Sequence, residues 1–182
     1  MKVGSPFVVD TNVLLVANEQ HPDVSPGCVI ACVGALDNLR KHGIVVLDNR
    51  YEILSEYSRR TAPNTGNRVG DGFLKWLYQN SGNASVVESV YIEEHAERGY
   101  TKFPTDPELN EFHRSDRKFV AVAATHSGRP PILQATDSKW MRWSDRLAAN
   151  GVEVVFLCPA DTARFLRRKS TIGPQGSPYE ER

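Results

Sequence analysis

The chain has 182 residues, 40% of them hydrophobic, which is enough for one domain with a core of its own. Lysine plus arginine (22) balances aspartate plus glutamate (22), so the formal net charge is zero and any surface for a nucleic acid must be local. No run nears the ~18 apolar residues of a membrane span and no signal region opens the chain, which predicts a soluble, cytoplasmic protein with no membrane partner. The three cysteines, Cys28, Cys32 and Cys158, are odd in number and lack a framework spacing. That argues against a disulfide scaffold and fits a reducing compartment. Cys28 and Cys32 can share a helix face, but without a nearby Cys or His they make a poor zinc site and read as buried hydrophobes.

Phe7-Val8-Val9 is a short apolar run that ends in Asp10, Thr11 and Asn12. It reads as a buried strand of a parallel sheet, with Asp10 at the carboxyl edge where such sheets place their chemistry. Val13 to Ala17 begins a helix. Ser25-Pro26 is a helix start, Cys28 to Lys41 an amphipathic helix, and Gly43 its stop. Ile44 to Leu47 is a second strand, ended by Asp48. A helix follows from about Arg50 to Arg60, with Asn49 and Glu52 as its capping box. That leaves Glu56, one turn on, without a structural task. Thr61 to Asp71 is a polar loop, Gly72 to Gln79 a helix, and Ser85 to Ile92 a β-prone stretch.

Asp106-Pro107 starts another helix. Asp116 falls in the first turn of the next, whose run Phe119 to Ala124 is apolar almost all round and so deeply packed. Ile132 to Thr136 is a third clear strand, ended by Asp137. Ser138 to Ala149 is an amphipathic helix, Val152 to Leu157 a fourth strand and Asp161 to Lys169 a short basic helix. Residues 170–182 carry Gly, Pro, Ser and charge, and read as a flexible tail behind a domain spanning 1–169. Alternating strands and helices predict a three-layer α/β/α fold with a mainly parallel central sheet of four to five strands.

Asp10, Glu56, Asp116 and Asp137 come from four separate elements. A parallel sheet gathers strand ends and the starts of following helices at one edge. Four carboxylates brought together repel unless a hard divalent cation neutralises them, and oxygen-only ligation suits Mg2+ or Mn2+. Bound, such an ion activates water and steadies a phosphoryl transition state. The sequence holds no Cys–His zinc set, no phosphate-cradling glycine loop and no serine-triad signature.

The ordered set Val8-Val9-Asp10-Thr11-Asn12-Val13-Leu14-Leu15, Ile53-Leu54-Ser55-Glu56-Tyr57, Ser115-Asp116-Arg117-Lys118-Phe119-Val120-Ala121 and Ala135-Thr136-Asp137 resembles the PIN-domain nucleases over roughly Val3 to Pro159. The resemblance implies a metal-dependent ribonuclease with Asp10, Glu56, Asp116 and Asp137 as catalytic and metal-binding acids. Thr11, Asn12 and Thr136 would support them. Single-stranded RNA is the expected substrate, held by Arg59, Arg60, Lys139 and Arg142. Expected partners beside RNA are an antitoxin protein, should the chain be the toxin of a toxin–antitoxin pair, and a second copy of the chain in a homodimer. The loop from Thr61 to Asp71, the stretch from Ser81 to Thr105 and the tail exceed what a minimal domain of this kind needs.

Each residue also has a plainer reading. Asp10, Asp116 and Asp137 can serve as helix caps, and Asp48 reads as a helix-start residue. His113 reads as a surface histidine, and Trp140 and Trp143 as core. The face carrying Lys139, Arg142 and Arg146, and that carrying Arg164, Arg167 and Arg168, can simply be solvated. Two other functions fit the pattern: a non-catalytic RNA-binding or interaction module on the same fold, and an aspartate-based phosphotransfer hydrolase. The second would place another Asp where Asn12 stands.

Overall fold

The computed structural model describes residues 4–61 and 66–171. In chain order these form β1 (Pro6–Val9), α1 (Thr11–Ala17), α2 (Pro26–His42), β2 (Ile44–Asp48), α3 (Glu52–Arg60) and α4 (Val69–Asn80). There follow β3 (Val87–Val90), β4 (Glu94–His95), β5 (Gly99–Tyr100), α5 (Arg117–Thr125), β6 (Ile132–Gln134), α6 (Ser138–Ala149), β7 (Val154–Phe156) and α7 (Pro159–Thr171). Two 3-10 turns, Pro107–Leu109 and Arg114–Asp116, precede α5. Residues 172–182, most of the expected tail, lie outside the described residues; Ser170 and Thr171 belong to α7.

The central sheet has the order β3-β2-β1-β6-β7, and every pairing in it is parallel. Val8, Val9, Val45, Val46, Ile132 and Leu133 are fully or almost fully buried, as expected where helices cover both faces of a sheet. α1, α2 and α4 pack on one another, while α5 lies against β1, β2 and β6. The fold is therefore the expected three-layer α/β/α arrangement, with the β-prone stretch supplying the fifth strand at one edge. No helix among the described residues is long and apolar enough to cross a membrane.

Five local expectations need correction. The capping box is absent: Tyr51 precedes α3 in the left-handed region (φ 61°), and the cap comes from Asp48. Its carboxylate accepts from Glu52 N (2.8 Å) and Ile53 N (2.9 Å), reaching past a two-residue turn. The Asp106 start yields one 3-10 turn, and α4 begins at Val69, three residues earlier than expected. Between β3 and α5 the antiparallel pair β4–β5 went unpredicted, since its strands are two residues each and carry no alternation to read.

The cysteines are the fifth correction. A disulfide joins Cys28 and Cys158, 130 residues apart, and ties the first turn of α2 to the residue before α7. Cys32, one turn along α2, is free and buried beside them. Sequence spacing carried no trace of this, because the pairing exists only once β7 has been laid at the far edge of the sheet.

α1 and α4 approach each other closely at Gly70. A Cβ there would stand 2.6 Å from the Leu14 carbonyl oxygen and 2.8 Å from Asn18 Oδ1. The Gly70 amide itself donates to Asn18 Oδ1 at 2.7 Å, and Asn18 Nδ2 donates to Asp71 at 2.9 Å. Gly70→Ala forces backbone apart and strains this buried bond. Urea unfolding should show a loss of about 1–3 kcal/mol with an unchanged m-value; an unaltered midpoint would mean that α4 can shift without cost.

Candidate active site

The site is built on the end of β1. The Asp10 amide still pairs with the β6 carbonyl of Leu133 (2.9 Å), so its position is fixed by the sheet. Its side chain then turns back to accept from Asn12 N (2.8 Å), capping α1. Cap and candidate ligand are thus one residue. Asn12 bridges to the neighbouring strand end: its Oδ1 accepts both Thr136 N and Thr136 Oγ1 at 2.9 Å. That bridge sets the chain just before Asp137, which caps α6 through Lys139 N (2.9 Å).

α3 supplies the third acid. Tyr57, fully buried, donates its hydroxyl to the Val9 carbonyl and so pins the helix to the end of β1. Glu56, its neighbour, is held at both oxygens. Thr11 Oγ1 donates to Oε1 (2.5 Å), and Lys118 Nζ lies 2.5 Å from Oε2. Glu52 faces elsewhere, accepting from Tyr100 Oη (2.5 Å) and pairing with Arg50 (3.3 Å).

Asp116 ends the 3-10 turn immediately before α5. Arg117 anchors that turn from below. Its buried guanidinium donates to the carbonyls of Phe112 (3.0 Å), Arg98 (3.0 Å) and Asn110 (2.6 Å), and it lies over the Phe103 ring. Ser115 Oγ donates to Asp116 Oδ1 (2.9 Å) and bonds His113 Nδ1 (2.7 Å). His113 is exposed and stands outside the cleft, as its plainer reading had it.

All four acids line one open cleft of about 380 Å³, together with Thr11, Asn12, Leu15, Arg59, Arg60 and Ser115. Thr136 and Lys139 instead line an adjoining groove with Phe165 and Arg168. Lys139 and Arg142 line another, beside Asp116, with Trp140 and Trp143. Trp140 is core, edge-on to Phe112, while Trp143 is only partly covered. Of the cationic candidates, then, Arg59 and Arg60 reach the acids' cleft, and Lys139 and Arg142 flank it. Two contributors escaped sequence reading. Lys118 and Ser115 lie in the quoted motif around Asp116, but nothing in their spacing says that one meets Glu56 and the other Asp116.

The charge is poorly balanced. Among the described residues, Glu56 is the only one of the four acids with an ion pair. Burial pushes the Asp10 carboxyl up to about 8, helped by Asp116, Glu56 and Asp137 and opposed by the Asn12 amide. Burial also raises Asp116, with Asp137 adding to it and Ser115, His113 and Lys118 opposing. The acids share the cleft without clenching on one point: among the described residues, the one trio of metal-ligating groups whose ligand atoms all lie within 4.8 Å of each other is Cys28, Cys32 and Cys158. Oxygen-only donors are of the chemical type that takes Mg2+ or Mn2+, and Mg2+ is commonly held by one or two carboxylates with water completing its shell.

The Asp10 shift has a sign that can be measured. Its carboxyl releases a proton near pH 3.8 in the unfolded chain but near 8 in the fold. Between these values the unfolded state binds fewer protons, so rising pH lowers stability. In EDTA, Asp10→Asn should therefore match wild type below about pH 4 and exceed it increasingly up to about pH 8, by on the order of a few kcal/mol. Urea unfolding across that range checks this; a difference independent of pH would mean that Asp10 is ionised in the metal-free fold. Comparison of the chain with family models, with curated proteins and with solved structures gave no match.

Proposed function

We propose that the protein is a metal-dependent ribonuclease that hydrolyses phosphodiester bonds of single-stranded RNA, as the resemblance to PIN-domain nucleases implies. One observation carries this reading: carboxylates from four separate elements line a single open cleft whose rim also carries Arg59 and Arg60. Negative charge in excess of its local partners calls for a cation, and arginines beside it suit a phosphodiester.

Asp10, Asp116 and Asp137 are the residues to hold a divalent ion, with Glu56 as a fourth acid kept in place by Thr11 and Lys118. Such an ion, when bound, supplies Lewis acidity to a phosphoryl oxygen and lowers the pKa of water. The chain's own part is positional. α3 presents Glu56, Arg59 and Arg60 at i, i+3 and i+4, so one helix offers both an acid and two phosphate-binding cations to the cleft. Asn12 ties the strand ends that carry Asp10 and Asp137, and Arg117 holds the turn that carries Asp116. Without a bound ion, Asp10 keeps its proton at neutral pH and limits repulsion in the cleft. The open cleft suits a flexible strand, whose backbone can follow the floor of the site more freely than a duplex.

A labelled single-stranded RNA is expected to be cut by wild type with Mg2+ or Mn2+ and left intact in EDTA. Asp10→Asn should reduce the rate on the order of 10²-fold or more while the fold persists. Equal cleavage in all three cases would overturn the reading, and binding without cleavage under either metal would favour the non-catalytic module. Arg59→Ala and Arg60→Ala should each weaken RNA binding and reduce the slope of log K against log salt by about 0.7. Unchanged slopes would place the phosphate path elsewhere.

A further inference from the structure

Away from the acids, three cysteines meet where two helices begin. Cys28 is the third residue of α2, behind its Ser25 cap, and Cys158 directly precedes α7, its carbonyl accepting Thr162 N at 2.9 Å. Both helices are long, 17 and 13 residues, and both direct their positive ends at this point. Helix N-termini stabilise thiolates. Cys32 lies one turn deeper, fully buried, with its Sγ 3.9 Å from that of Cys158. Burial pushes its thiol up to about 12, so in the absence of a ligand it stays protonated.

The spacing is informative. Two sulfurs bound to one ion at ~2.3 Å stand about 3.8–4.0 Å apart. Cys32 and Cys158 already have that separation, and all three cysteines bring their sulfurs within 4.8 Å of one another. The Asp161 carboxylate, at the start of α7, is engaged by Ser25 and Arg164. An all-sulfur set of this kind selects soft cations.

We propose that, once the Cys28–Cys158 bond is reduced, Cys28, Cys32 and Cys158 together bind one thiophilic cation of the zinc or copper(I) class. The reductant is a dithiol: it delivers two electrons and two protons to Cys28 and Cys158 and leaves as its own disulfide. The entering cation displaces the thiol protons to solvent. This centre is independent of the acid cleft in both ligand type and place. It stands at the root of α7, the helix that carries Phe165 and Arg168 to the groove beside Asp137.

The test uses the full chain, reduced with a dithiol, freed of reductant without air and titrated with Cd2+ as the probe. A sulfur-to-cadmium charge-transfer absorption is expected to saturate at one equivalent, and to be absent from the oxidised protein. Cys32→Ala should weaken binding at least tenfold. In wild type, Cd2+ should protect all three thiols from alkylation, read by mass spectrometry. No absorption after reduction, equal affinity in Cys32→Ala, or protection of fewer than three thiols would each overturn the proposal. Should Cys32→Ala fail to fold, the wild-type protection pattern alone decides.

Discussion

The constraint on which the site depends is negative charge at the carboxyl edge of a buried parallel sheet. Asp10 extends a strand whose last residues are fully covered, and it is itself buried but for the face it turns to the open cleft. The fold answers this charge in three ways. Lys118, itself largely buried, is spent on Glu56 and on the Ser115 carbonyl. Backbone amides at the starts of α1 and α6 meet Asp10 and Asp137. Asp10 keeps its proton. Among the described residues, neither Asp116 nor Asp137 has an ion pair, so their charge is met by hydrogen bonds alone.

The scaffold around it is arranged so that this unfavourable grouping cannot relax. β1 is interior to the sheet, paired with β2 on one side and β6 on the other, and the β6 pairing runs through the Asp10 amide itself. Tyr57 fastens α3 to Val9, and Asn12 fastens β1 to the end of β6. The turn before α5 has little regular structure, so Arg117 does there what strand pairing does elsewhere, gathering carbonyls from residues 98, 110 and 112. A buried arginine with its donors satisfied by backbone is a costly group to place and correspondingly hard to move. Each acid therefore has a separate anchor close to it in the chain.

Those anchors explain what the sequence disclosed and what it did not. The sheet was legible because a buried parallel strand is a continuous apolar run, as at Val8-Val9, Val45-Val46 and Ile132-Leu133. The acids stood out because each of Asp10 and Asp137 follows such a run abruptly. The edge strand β3 was half legible: Glu88 and Ser89 interrupt its apolar residues, since an edge needs less covering. Glu56 lines the cleft, but the ground for setting Glu52 aside was mistaken. Glu52 makes no capping box; it is engaged by Tyr100 from the hairpin, an element too short to read. Lys118, the Arg117 anchor and the cysteine trio were hidden for one reason. Each consists of contacts between residues far apart in the chain, or between side chain and distant carbonyl, and periodicity reports only on neighbours.

α3 shows how these levels meet in one element. Its nine residues place Ile53, Leu54 and Tyr57 in the core and Glu56, Arg59 and Arg60 at the cleft. The helical period alone separates the two sets. Its missing side-chain cap at Tyr51 is made good by Asp48 from the strand before, so the helix is registered to β2 at its start and to β1 through Tyr57. With both ends of that reference fixed to the sheet, the spacing between Glu56 and the two arginines is a property of the fold. In the proposed reaction a cation and a phosphate must lie side by side. One short helix sets an acid and two arginines a turn apart on the cleft that the proposal assigns to them.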